Sequence, residues 1–269
     1  MRHISRRSVL SSLGVATSLA YAQGQATAFA LIGDRYHNSD YIRTALSKTI
    51  GTNLGLAIDF RDEVTLLDAN TLKSYNLLIM LRDGMLWPDG YVQQRADWPE
   101  IVSEPPLPKI DPHPIYWITS AQGKAVKDFV AGGGGVLFYH NVTYISPHNG
   151  DFRDVLGAVT EQHPPLRPFK VKIVNKNHPI TQGVKDFVIT DEQHFVNYQK
   201  DPKHLLLQSV NEHGLTHKNL GTSSPAGWAY DYGKGRVCYL APGHVITALW
   251  NPEYEKLQRN AVRWLLRQI

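Results

Sequence analysis

Apolar positions in this chain come in short runs set off by glycine turns and by stretches of helical periodicity. The densest run follows Gly132-Gly133-Gly134-Gly135, continues through Val136-Leu137-Phe138-Tyr139 and stops at His140. A run without alternating polar positions predicts a strand covered on both faces, as in a parallel sheet. In open α/β sheets the ligand crevice lies beyond the carboxyl ends of the strands, so His140 is the first candidate for chemistry. Residues 28–33 predict another strand, which leads through Asp34-Arg35-Tyr36-His37 into a helix that starts near Ser39 and Asp40 and carries Ile42, Leu46 and Ile50. Residues 56–60 and 76–81 predict two more strands, the second ending at Arg82-Asp83-Gly84. Strands alternating with helices imply right-handed crossovers and a mainly parallel sheet.

Residues 85–118 break this rhythm with Pro88, Pro99, Pro105, Pro106, Pro108, Pro112 and Pro114 among Trp87, Tyr91, Trp98, Tyr116 and Trp117. So long a loop either roofs a pocket with its aromatic rings or packs on the surface of the sheet. Thr119 or Ser120 then caps a helix with an apolar stripe of Ala121, Ala125, Val126, Phe129 and Val130, and Gly132 ends it. A short helix is expected at 152–156 and strands at 169–174 and 205–210. A hairpin follows, with 226–230 turning through Gly233-Lys234-Gly235 into 236–240. An amphipathic helix at 253–266 turns Leu257, Ala261, Trp264 and Leu265 inward.

Charge changes the picture mainly at the N-terminus. Arg2, Arg6 and Arg7 supply three charges of the formal +4, and residues 1–22 contain no acidic residue. What remains is nearly neutral, which argues against nucleic acid as a partner. Ser5-Arg6-Arg7-Ser8-Val9-Leu10, a mildly apolar stretch and Ala20-Tyr21-Ala22 read as a twin-arginine export signal cleaved near Ala22, which predicts a periplasmic protein with a single domain over 23–269. The apolar stretch is too short to span a bilayer, so no stable membrane insertion is expected. The single cysteine, Cys238, precludes an intramolecular disulfide and falls in an interior-looking strand.

The second half resembles the ThuA-like (trehalose utilisation protein-like) family, whose fold is that of the class I glutamine amidotransferase-like α/β proteins. The resemblance runs over roughly 119–267 and rests on motifs in order: Phe129-Val130-Ala131-Gly132-Gly133-Gly134 with the strand closing on His140, Leu156-Gly157-Ala158, His178-Pro179-Ile180-Thr181, Asp191-Glu192, residues 228–237 and Pro242-Gly243-His244. It implies a three-layer, flavodoxin-like sandwich and a link to carbohydrate metabolism. It does not import glutamine hydrolysis, because His140-Asn141 stands where amidotransferases place the nucleophilic cysteine.

His37, Asp83 and His140 all follow predicted strands and so should converge on one crevice; Glu192 and His244 join them through the resemblance. Imidazoles with a carboxylate suit a divalent ion such as zinc, held by His37, His140 and His244 with Glu192 as ligand or general base. Without metal, His140, Glu192 and Asp83 would still form an acid–base site. Either version fits a sugar or oxidised (keto) sugar, with Tyr36, Asn141 and Trp228 as candidate substrate contacts; large aromatics such as Trp228 and Trp250 nevertheless more often serve burial. No nucleotide cofactor is expected, and self-association is left open. The alternative is a non-catalytic module that binds a carbohydrate or a partner. His163 and His178 precede prolines and read as turn residues, His204, His213 and His217 as surface or loop residues, and His194 as a surface residue or else a fifth polar group near Glu192.

Overall fold

A computed structural model describes residues 27–89 and 113–269. The predicted export signal, together with Tyr91, Trp98 and the prolines from Pro99 to Pro112, lies outside the described residues. The elements in chain order are β1 Ala28–Ile32, α1 Ser39–Leu46, β2 Ile58–Arg61, α2 Ala69–Leu72, β3 Leu77–Leu81, β4 Met85–Leu86, β5 Ile115–Tyr116 and α3 Ser120–Ala131. After these come β6 Gly135–Tyr139, α4 Gly150–Leu156, β7 Ala158–Gln162, β8 Arg167–Ile173, β9 Phe187–Asp191, β10 Phe195–Tyr198 and β11 Leu205–Val210. Strands β12 Ser223–Tyr232 and β13 Gly235–Leu240 and helices α5 Ile246–Leu249 and α6 Pro252–Leu265 complete the set.

Nine strands form one sheet in the order β2-β1-β3-β6-β13-β12-β11-β8-β9. From β2 to β13 every pairing is parallel, and from β13 to β9 every pairing is antiparallel. The sheet is therefore mixed, and its parallel half is the part that the strand–helix alternation describes. Every residue of β1, β3 and β6 is buried, as uninterrupted apolar runs require. Successive residues of β6 face opposite layers: the Phe138 ring packs on Phe152 of α4, whereas the Tyr139 hydroxyl lies 3.1 Å from Gln258 of α6.

Local signals set the element ends. Thr119 and Gln122 form a reciprocal capping box at the start of α3. The buried stripe of α3 includes Ala125, Val126 and Val130 as expected but differs in its first turn. Ala121 is exposed, whereas Gln122 is buried and donates to the carbonyl of Val64 (2.7 Å), because the side chain that closes the cap also satisfies a neighbouring backbone group. The hairpin falls where the glycines place it, with Gly233 at φ +58° between β12 and β13. Strand β9 was not evident beforehand, since its apolar positions alternate with exposed ones, as at a sheet edge. No helix among the described residues is long and apolar enough to cross a membrane.

Candidate functional site

The rim beyond the carboxyl ends of β1, β3, β6 and β13 carries a cavity of about 260 Å³. Its wall includes Tyr36, His37, Asp83, Asn141, Glu192 and His244, together with Met85, Tyr144, His163 and His194. His140 closes β6 just beneath. It is fully buried with φ +48°, a left-handed conformation that non-glycine residues seldom adopt and that marks a site imposed by its surroundings. Gly243 permits this packing: a β-carbon there would stand 2.7 Å from Cβ of His140.

One carboxylate organises the first wall. The side chain of Asp34 is wholly buried; its Oδ1 accepts from the backbone amides of Tyr36 (2.8 Å) and His37 (3.0 Å) and from His37 Nδ1 (2.8 Å). Its Oδ2 accepts from the Asp83 amide (3.0 Å) and from Asn141 Nδ2 (2.7 Å). Burial pushes the Asp34 carboxyl up, but the His37 contact and these donors together hold it below its ordinary value. Asp83, 3% exposed, is pushed up to about 7 by burial and by the neighbouring Asp34 charge. The two acids are thus driven apart, one ionised and one able to exchange a proton near neutrality.

Hydrogen bonds also fix the ring tautomers. Carbonyl oxygens only accept, so His140 donates from Nδ1 to the carbonyl of Ala241 (2.9 Å); His37 Nδ1 lies 2.8 Å from both Asp34 and the Asn141 amide nitrogen, and the ionised carboxylate takes its proton. Each ring then turns an Nε2 lone pair toward the same volume. His37 Nε2 lies 3.0 Å from His244 Nδ1. Glu192 Oε2 lies 3.1 Å from His244 Nδ1 and 3.4 Å from His140 Nε2. One ligand atom from each of His37, His140, Glu192 and His244 falls within 4.8 Å of the others. His140 Nε2 is buried without a hydrogen-bond partner. Lone pairs and an anionic oxygen facing one another repel unless a proton or a cation sits among them, and three imidazoles with a carboxylate are a zinc-type donor set.

Charge follows the same geometry. Burial holds His140 below the usual imidazole range despite Glu192, whereas for His244 the depressing effect of burial is outweighed by the Glu192 contact, and its value rises. Burial would raise Glu192 too, but contacts with His140, His194 and His244 hold it well below the carboxylate range. The loop carrying His244 is tied down by Asp191, whose Oδ2 accepts from the amide of Gly243 (2.8 Å) and whose Oδ1 accepts from that of His244 (3.1 Å).

The structure thus brings together His37, Asp83, His140, Glu192, His244, Tyr36 and Asn141. Trp228 is elsewhere. It is fully buried, donates its indole N–H to the carbonyl of Leu156 (2.8 Å) and stacks on Tyr239, so its bulk fills the core and it makes no wall of the cavity. His194, read as a surface residue or as a fifth polar group near Glu192, is 2% exposed with Nε2 3.5 Å from Glu192 Oε2, and His163, expected only to turn the chain, reaches the cavity wall. The organising acids Asp34 and Asp191 stand within the stretches Asp34-Arg35-Tyr36-His37 and Asp191-Glu192, where nothing in the sequence gives them a role of their own. Cys238 is buried in β13 with its thiol pushed up by desolvation, which leaves no thiolate nucleophile at the rim.

A family model described as trehalose utilisation, ThuA, matches residues 109–265. No match was found among curated proteins. A protein of Bacteroides uniformis described as ThuA-like superimposes with a TM-score of 0.63 at 19% identity, covering 91% of this chain and 93% of that one. One of Parabacteroides merdae, likewise described as ThuA-like, gives 0.64 at 14% identity, with 90% of each chain covered. A β-galactosidase of Bacillus circulans sp. alkalophilus gives 0.53 at 12% identity, covering 89% of this chain but 31% of that one. At such identities the likenesses are of fold.

Proposed function

Because the chain belongs to the ThuA (trehalose utilisation) family, we propose that it processes a small carbohydrate, a sugar or an oxidised (keto) sugar, by acid–base chemistry beside a divalent metal ion. The observation that carries this reading is the convergence of His37, His140, Glu192 and His244 within 4.8 Å, with two of the three imidazoles already held in a ligating tautomer. Such an ion, zinc by its donor set, would supply a Lewis acid for a sugar oxygen and lower the pKa of a bound water.

The remaining residues divide the work. Glu192, held strongly ionised, suits a ligand better than a base. Asp83, pushed up to about 7, suits proton transfer near neutral pH. Asp34 positions His37 and Asn141, as an outer carboxylate does for a metal-bound histidine. A cavity of about 260 Å³ is smaller than the usual pocket for a drug-sized ligand, which favours a single sugar ring in the site with any second unit toward the half-exposed Tyr36. The reading of residues 1–22 as an export signal makes this a periplasmic activity, checked by finding the mature N-terminus near Gln23 in the periplasmic fraction.

The test is metal analysis of the purified protein with and without His140→Ala, joined to turnover assays on native and oxidised disaccharides. The expected result is a bound metal lost on substitution, and a product formed by the unmodified protein alone. A metal-free protein that binds a sugar and leaves it unchanged overturns the reading in favour of a binding module.

A further inference from the structure

One oxygen at this site has more neighbours than a single ion needs. Besides His140 and His244, Glu192 Oε2 lies 3.4 Å from His163 Nδ1 and 3.5 Å from His194 Nε2. His163, Glu192 and His194 form a second group that could hold an ion, and it shares only Glu192 with the first.

His194 gives the independent sign. It is 2% exposed, and neither Nδ1 nor Nε2 has a hydrogen-bond partner. A histidine kept for structure uses its ring to satisfy backbone, as His178 does by accepting the amide of Ile180 at Nδ1 (3.2 Å). Leaving a buried imidazole unsatisfied at both nitrogens is costly, and the ring is aimed at a carboxylate. His163 stacks nearly parallel on it, with centroids 4.9 Å apart and 9° between planes, so both rings present edges toward Glu192. The Nδ1 of His163 also lies 3.0 Å from the carbonyl of Pro164. Ligation through that atom would exchange this contact for a metal bond, so the second position binds more weakly than the first.

We propose that a second zinc ion binds beside the first, held by His163 and His194, with the Glu192 carboxylate bridging the two. The inference rests on the reading of the first site as a metal centre and extends it to a two-metal site, an arrangement that clamps both the attacking and the leaving oxygen of a displacement.

The test uses the full chain, stripped with a chelator and reloaded with zinc alone, and counts metal per chain. Two ions are expected, falling to one in His163→Asn and in His194→Gln. His163→Asn is the cleaner variant because the residue lies at the half-buried rim; unchanged melting of its metal-free form separates loss of a ligand from loss of the fold. Reloaded with manganese, the unmodified chain should give the paramagnetic resonance of two coupled ions, and His163→Asn that of an isolated one. A single zinc ion, indifferent to both substitutions and lost in His37→Asn, overturns the second site and leaves the first standing. No zinc at all in the unmodified chain overturns both.

Discussion

The two halves of the sheet deliver the site by different geometry. In the parallel half, the strands run the same way, so each carboxyl end meets the same rim: β1 brings Asp34 and His37, β3 brings Asp83, β6 brings His140 and β13 leads to His244. In the antiparallel half, strands alternate in direction, so the rim receives the carboxyl end of β9 and the amino end of β8. Asp191, Glu192 and His194 arrive by the first route and His163 by the second. A crevice at strand ends is thus not restricted to parallel strands; any strand end on that side contributes, whichever way the chain runs.

The sharpest way to break this comparison is to remove the antiparallel half's central charge. Glu192→Gln removes the one carboxylate of the donor set, so it should abolish metal retention and, with it, turnover; turnover and metal content within twofold of the unmodified protein would make the antiparallel half a bystander. Next comes the clamp between the halves. Asp191→Ala frees the amides of Gly243 and His244 from a buried acceptor, so metal affinity should fall about 10–100-fold and denaturant titration should show a loss of about 3 kcal/mol.

The parallel half offers a pH signature. Asp83 is pushed up to about 7 in the folded chain from its ordinary value of 3.8. Between those values the folded chain holds a proton that the unfolded chain has released, so stability falls as pH rises from about 4 to 7. Asp83→Asn should flatten that decline, so that the variant gains on the unmodified chain as pH rises toward 7; an unaltered pH profile of melting would show that Asp83 ionises as in a free chain. Asp34, held low, contributes with the opposite sign, its stabilisation present above its unfolded value and lost on acidification. The smallest effect on the site is expected at Trp228→Phe. Losing the hydrogen bond to Leu156 and leaving a cavity should cost about 2 kcal/mol of stability, and sugar affinity measured by calorimetry should not change.

Much of the parallel half was legible because local signals there coincide with tertiary ones. An uninterrupted run such as Val136-Leu137-Phe138-Tyr139 has one stable place, between two layers, and the residue after it must emerge at a rim. Glycine turns and caps marked the hairpin and the ends of α3 for equally local reasons. Strand β9 gave a weaker signal, since only alternate positions are buried along an edge. Histidine roles were the least legible. A ring before two prolines, or beside Glu192, carries no mark of its depth, and His163 and His194 were placed by the strands that bring them in.

By itself the sequence determined the fold class, the family and the candidacy of His37, Asp83, His140, Glu192 and His244, because hydrophobic periodicity and motif order act over short ranges. The tertiary structure alone decided that Asp34 and Asp191 organise the site, that Trp228 belongs to the core, and that a single oxygen of Glu192 faces four imidazoles. Those facts depend on contacts between residues as far apart as Asp34 and Asn141 or Asp191 and Gly243, which no local pattern encodes and only the pairing of strands creates.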